Sequence, residues 1–394
     1  MKITRIAPWI VTGPPEEVVP GSRGPSPHLQ QYVFVQVDTD EGLTGWGEIT
    51  SYPGMIANRV VAGLIREAAE LLIGQDPSHI EAIWHRLFRT FTYMGTRGAT
   101  TAMISGIDIA LWDIRGQALG LPIYDLLGGP VRETVPLYVH FPLGQTIDDA
   151  VSGALSQVRG GAKAIKTDPF LSYIHHLHTA YLDGQLPIEG EELGVERIAA
   201  IRAAIGPRIE LLIDAHGMYN VPTAIRLATR LAPYNITWFE EPVPVESIDA
   251  LAQVRDQVPV RICIGERLHT RFDFVPVFQR RVADFIMPDV TWTGGITELK
   301  KIANMAEAHY IPIAPHDASG PINIMAGAHV SMTVPNLYRL EARRIAFDFY
   351  NAFLDEPLVV RDGELIVSRR PGLGISLNQD YLKANALSGW SGDS

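Results

Sequence analysis

The 394-residue chain has one cysteine, Cys263, so an intramolecular disulfide is excluded and stability cannot depend on an oxidising compartment. Cys263 sits in an apolar run and reads as a small buried hydrophobe. No apolar stretch approaches the ~20 residues that a membrane-spanning helix needs. The opening Met1-Lys2-Ile3-Thr4-Arg5-Ile6 is too short and polar for a secretory signal. Runs of Lys and Arg are also missing, and the net charge of −11 argues against nucleic acid as a partner. A cytoplasmic protein with neither membrane nor nucleic-acid partner is expected. An anionic small molecule remains open as substrate, because a bound cation can invert the local field. The charged fraction of 20% is a little low and suits a buried parallel architecture, and 46% hydrophobic residues suffice for a large core.

The length suits two domains. Residues 1–125 read as α+β. Tyr32-Val33-Phe34-Val35-Gln36-Val37 and Thr44-Gly45-Trp46-Gly47-Glu48 flank the turn Asp40-Glu41-Gly42, a hairpin pattern. Segment 13–25 is rich in Gly and Pro and reads as a mobile loop, and a second loop is expected at 50–54. Helices follow at 57–73, from Pro77 through Leu87, and at 99–119 with Gly120 as C-cap. The last of these is apolar on several faces, as a helix packed between two domains would be. Its Asp108 and Asp113 are assigned to the helix surface or an interface, outside any site.

From 126 to 350 short apolar runs alternate with helical stretches. The runs are 135–141, 162–166, 209–214, 236–240, 260–266, 285–288, 311–316 and 337–341. Strand alternating with helix implies parallel pairing with right-handed crossovers, and eight repeats imply a (β/α)₈-type barrel with its site at the C-terminal strand ends. One interval is longer: it holds Asp168, three histidines at 175, 176 and 178, and an acidic 189–192 segment, a loop fit to cover substrate or to meet a neighbouring subunit. Residues 351–394 contain a hairpin around Asp362-Gly363 and are expected to pack back on the first domain.

The strand ends carry the chemistry. Leu211-Leu212-Ile213 runs into Asp214, Thr237-Trp238-Phe239 into Glu240, and Ile262-Cys263-Ile264-Gly265 into Glu266. The spacings, 240 − 214 = 26 and 266 − 240 = 26, are each one βα unit, so three carboxylates would share one rim. Clustered anions repel unless neutralised, and a hard divalent ion such as Mg²⁺ suits oxygen ligands. Capping of the following helices is the alternative use of a strand-end acid. Three further strand ends, Asp289, His316 and Glu341, continue the spacing. Asp289 and His316 fall on adjacent strands, where a carboxylate bonded to one imidazole nitrogen raises the basicity of the other. His316 is therefore the candidate general base. His216, beside Asp214, is the candidate acid on the opposite side, and Glu341 could bond a substrate carboxylate that gains charge. These parts suit removal of a weakly acidic proton next to a carboxylate.

The set Asp214-Ala215-His216, Glu240-Glu241-Pro242, Gly265-Glu266-Arg267, Pro288-Asp289, Gly294-Gly295-Ile296-Thr297-Glu298, Ala314-Pro315-His316 and Pro371-Gly372-Leu373-Gly374, with Ser105-Gly106-Ile107-Asp108 in the first domain, resembles the enolase superfamily in its mandelate racemase subgroup. The resemblance implies a modified (β/α)₇β barrel with an α+β N-terminal capping domain, one Mg²⁺ on Asp214, Glu240 and Glu266, and loops near 20 and 52 closing over the substrate. It also implies a homo-oligomer. Within the subgroup the chain looks most like acid-sugar dehydratases of the galactonate dehydratase kind, which use a histidine placed as His216 is to protonate the departing hydroxide. The subgroup's Lys-x-Lys pattern reads Lys166-Thr167-Asp168 here, which disfavours racemisation through a lysine and a histidine. Asp168 is left to contact a sugar hydroxyl or Lys166. Lys166, Asp168, Arg23 and Tyr52 are assigned to substrate binding. The expected activity is a hydro-lyase reaction on an aldonate or aldarate that yields a 2-keto-3-deoxy acid. An epimerase, racemase or cycloisomerase on the same scaffold is the alternative.

Overall fold

The computed structural model describes residues 1–14, 31–49, 57–170 and 183–392. Arg23, Tyr52, both expected loops over the substrate and the three histidines of the long interval lie outside them. The N-terminal sheet is antiparallel: β1 (Ile3–Thr12), β2 (Gln31–Thr39) and β3 (Thr44–Glu48) follow one another across it. β-Branched and aromatic residues alternate along β2, and Gly42 turns the hairpin at φ 79°, where a side chain would be strained. α1 (Asn58–Leu72) and α3 (Ala99–Leu119) cover this sheet, and α2 (Ile80–Thr90) packs against α3. Gly120 ends α3 in the left-handed conformation, as its position predicts.

Close approach explains the glycines of β3 and α3. A Cβ on Gly47 would lie 1.8 Å from the Gly106 carbonyl oxygen, so strand and helix touch backbone to backbone. The opposite face of α3 meets the second domain. There Asp108 accepts the Thr297 N–H at 3.0 Å, while Asp113 ties β3 to the C-terminal segment by accepting the N–H groups of Trp46 and Leu373 at 3.0 and 2.8 Å. Both acids are buried interface groups, which is the second of the two roles expected for them.

The barrel strands are β4 (Val135–His140), β5 (Ala164–Thr167), β6 (Glu210–Asp214), β7 (Phe239–Glu240), β8 (Ile262–Ile264), β9 (Phe285–Ile286) and, after residues 311–316, β10 (Leu340–Ala342). They pair in parallel and in order, and β10 closes on β4 through Glu341↔Tyr138. The seventh position, residues 311–316, pairs only through isolated bridges such as Ile286↔Ile313 and Asp289↔His316. Pro312 and Pro315 have no N–H to give a ladder, yet their carbonyls accept from Ile286 and Glu341 at 3.1 and 3.0 Å. The ring is thus seven strand–helix units and a closing strand. Its interior is plugged by Tyr138, Leu212, Trp238, Phe285 and Met287, so it is a core and not a pore.

Two expectations change. The acidic 189–192 segment is not loop: it opens the helix Ile188–Ile205, where Glu189 and Glu191 suit the positive N-terminal end. Glu191 is buried there against Arg226 and Arg230. The hairpin of β11 (Val359–Arg361) and β12 (Glu364–Ile366) forms as expected, but it joins the barrel: Glu364 and Leu365 pair with Pro136 and Val135 of β4. The start of β4 precedes its partners on β5 and β10, and the hairpin covers that bare edge. The rest of the segment packs back on the first domain as expected: Leu373 donates to Asp113 of α3, Phe353 packs on Tyr32 and Phe34 of β2, and β13 (Ala386–Ser391) pairs with β1.

Candidate active site

Asp214, Glu240 and Glu266 end or follow β6, β7 and β8, adjacent strands of the ring, and each brings an oxygen within 4.8 Å of the others. Asp214 and Glu240 are buried and Glu266 is half-buried. Around them are donors that spacing alone does not reveal. Lys166, only 2% exposed, lies between Glu240 (2.6 Å), Glu341 (2.9 Å) and Asp214 (3.2 Å). Trp238 donates its indole N–H to the second oxygen of Glu240 at 2.8 Å, and Tyr138 its hydroxyl to Glu341 at 2.8 Å. Trp238 is two residues before Glu240, so the two-residue period of a strand turns both inward, a signal the sequence did hold. Arg267 bridges Glu266 (2.5 Å) and the buried Glu241, which holds the Gly265 N–H at 3.2 Å.

Two histidine–carboxylate pairs flank the acids. His316 bonds Asp289 through Nδ1 at 2.7 Å, and its Nε2 faces Glu266 at 3.0 Å. His216 bonds Asp168 through Nδ1 at 2.7 Å, and its backbone N–H donates to Asp214 at 2.9 Å. Within the chain Asp168 bonds His216 instead of Lys166, and its other oxygen accepts the Phe170 N–H at 3.2 Å. A left-handed turn explains this. His216 at φ 51° and Gly217 at φ 65° swing the chain back across the end of β6, which brings the imidazole over β5. β6 is third in the ring and residues 311–316 are seventh, so the two imidazoles approach the mouth from opposite sides.

The charges are strongly coupled. Burial alone would lower the Lys166 ammonium, but Glu240, Glu341 and Asp214 outweigh it and hold it well above its usual range. Burial likewise opposes protonation of His216, yet Asp214 and Asp168 raise it to about 9. His316 is raised well above the ordinary value by Glu266, Glu341 and its bond to Asp289, against burial. Burial and the neighbouring Asp214 push the Glu240 carboxyl well up. Against burial, His216 and Lys166 hold Asp214 well below its ordinary range and His316 lowers Glu266, so of the three strand-end acids only Glu240 is pushed toward its neutral form. A small all-oxygen donor set of this kind fits a hard divalent cation. Half-buried His140, which closes β4 near Lys166, is lowered to about 3 by burial and then by that lysine, and presents a neutral imidazole.

Residues 150–381 match the family description "Enolase C-terminal domain-like", and residues 19–128 match "Mandelate racemase / muconate lactonizing enzyme, N-terminal domain". The chain is 35% identical to the D-galactonate dehydratase of Ralstonia pickettii over 356 residues, 89% of each chain. It is 35% identical to the D-galactarolactone cycloisomerase of Agrobacterium fabrum over 359 residues, 89% of this chain and 90% of that one. The arabinonate dehydratase of Saccharolobus solfataricus is 30% identical over 358 residues, 90% of each. A mandelate racemase/muconate lactonizing enzyme-like protein from Rubrobacter xylanophilus superposes with a TM-score of 0.86 at 33% identity, covering 99% of this chain and 98% of that one.

Proposed function

The chain belongs to the mandelate racemase/muconate lactonizing enzyme family of the enolase superfamily, and on that premise we propose that it is a Mg²⁺-dependent carbon–oxygen lyase that dehydrates a sugar acid to its 2-keto-3-deoxy acid. The observation that carries the reading is the pair of opposed His–Asp dyads on either side of the three acids. Racemisation needs no leaving-group acid, whereas loss of hydroxide does. Dehydratases of galactonate and arabinonate among the relatives support it.

Asp214, Glu240 and Glu266 would hold the Mg²⁺, which when bound supplies Lewis-acid polarisation of the substrate carboxylate. His316 removes the proton alpha to that carboxylate. Its Nδ1–H is committed to Asp289, so Nε2 is the basic atom. Glu266, 3.0 Å from that nitrogen, adds to its affinity for a proton. Negative charge that grows on the substrate carboxylate meets Lys166, which Glu341, itself held by Tyr138, keeps in place. His216 gives its Nε2 proton to the departing β-hydroxyl, and Asp168 balances the imidazolium from behind. Arg23 and Tyr52 are assigned to substrate binding.

We divide the chain into a capping domain over 1–125, a barrel over 126–350 and a C-terminal segment over 351–394, and place it in the cytoplasm as a homo-oligomer. Among the described residues, no helix is long and apolar enough to cross a membrane. A panel of aldonic and aldaric acids with Mg²⁺, read by 2-ketoacid formation, tests the function. Product from one or more acids, abolished by EDTA and by His316→Asn, is expected; no ketoacid from any member overturns it. Cycloisomerisation is the second reading, because the galactarolactone cycloisomerase is as similar as the galactonate dehydratase. Consumption of a sugar lactone without ketoacid would favour it.

A further inference from the structure

Asp289 aims His316, and the structure shows what aims Asp289. Its carboxylate accepts the Thr291 N–H and hydroxyl, both at 2.7 Å, and the Asn323 side-chain amide at 3.2 and 3.3 Å to its two oxygens. Asn323 must present nitrogen there, since an oxygen would repel the carboxylate, and its own Oδ1 has no partner. Asn323 is the third residue of the helix Pro321–Met332, and the cap residue Gly320 has no side chain to bond the first-turn N–H groups. Glu48 supplies that cap from the other domain. At the end of β3, fully buried, it accepts the Gly320 N–H at 2.6 Å and the Asn323 N–H at 3.0 Å. A Cβ at position 320 would sit 2.7 Å from the Glu48 carboxylate, so glycine leaves the room for this approach.

We propose that Glu48 and Asn323 are positioning residues for His316: the capping-domain hairpin sets the aim of the base through the first turn of Pro321–Met332, Asn323 and Asp289. The inference rests on His316 as the general base. Thr291 anchors one oxygen of Asp289 but leaves the plane of the carboxylate free to turn. The two-pronged contact of Asn323 fixes that plane and with it the direction of the imidazole. Glu48 holds Asn323 by its backbone. Neither residue touches the three strand-end acids, so the effect is one of orientation.

The test uses Mg²⁺-loaded, full-length Asn323→Ala and Glu48→Gln, with D-galactonate as probe and folding checked by circular dichroism and melting temperature. The low-field proton of the His316–Asp289 hydrogen bond is followed by NMR and assigned by its loss in His316→Asn. Asn323→Ala should shift or broaden that resonance and lower kcat about tenfold with KM changed less than about twofold, as expected when a base is misaimed and binding is kept. Glu48→Gln, which keeps one of two acceptor oxygens, should do the same to a smaller degree, and it replaces Asn323→Ala should that variant not fold. An unchanged resonance overturns the proposal, whether kcat and KM are kept or only the melting temperature falls. If wild-type protein turns over no acid of the panel, the dehydratase reading fails, and the resonance still decides whether Glu48 and Asn323 orient His316.

Discussion

Asp168→Asn is the sharpest perturbation of the acid side of the site. The 2.7 Å bond from His216 Nδ1 to a buried carboxylate is charge-assisted. Such bonds are worth about 1.5–3 kcal/mol, and one decade of rate corresponds to about 1.4 kcal/mol, so kcat for loss of a β-hydroxyl should fall about tenfold to a hundredfold or slightly more. KM should change little, because Asp168 is buried behind His216. The discriminating substrate is the same acid with β-fluoride in place of hydroxide, since fluoride leaves without a proton. Steady-state kinetics on both should show the hydroxy acid slowed and the fluoro acid spared. Hydroxy acid recovered from D₂O should also gain alpha-deuterium, because the deprotonated intermediate waits for its acid. Equal losses on both substrates, or none on the hydroxy acid, would refute the assignment of His216 and Asp168.

Further outcomes can be checked separately. Burial lifts the Asp317 carboxyl to about 8 despite bonds from Tyr350 and the Ser319 N–H. The fold therefore favours its neutral form, and that contribution is complete below the ordinary value of 3.8 and is lost as pH rises through about 8. Urea unfolding of Asp317→Asn relative to wild type should gain about 1.4 kcal/mol per pH unit between pH 5 and 7.5, and a flat difference contradicts this. Glu266→Gln should weaken Mg²⁺ binding by calorimetry about a hundredfold or more, since even groups behind the ligands cost 10–100-fold; wild-type affinity would remove Glu266 from the cation site. Gly47→Ala should cost at least about 1–3 kcal/mol or prevent folding, because its methyl group meets the Gly106 carbonyl. A wild-type melting temperature would show that β3 and α3 can separate.

What was readable in the sequence was local. The acids at unit spacing, the C-cap at Gly120 and the Asp362-Gly363 hairpin each announce themselves within a few residues, through strand endings, backbone conformation and turn chemistry. The ring then follows from alternation and handedness, and it puts Asp214, Glu240 and Glu266 together without further information. Of the partnerships between strand ends, Asp289 with His316 followed from adjacent unit spacing, and the others were not readable. Asp168 stands 48 residues before His216, and only the left-handed turn after β6 joins them. Lys166 looked like a substrate ligand, and closure of β10 onto β4 sets it among three carboxylates. Glu48 looked like the end of a hairpin and caps a helix 272 residues away. Periodicity specifies which way a side chain faces, whereas its partner depends on which backbones end up beside it, and packing of the whole ring against its cap determines that.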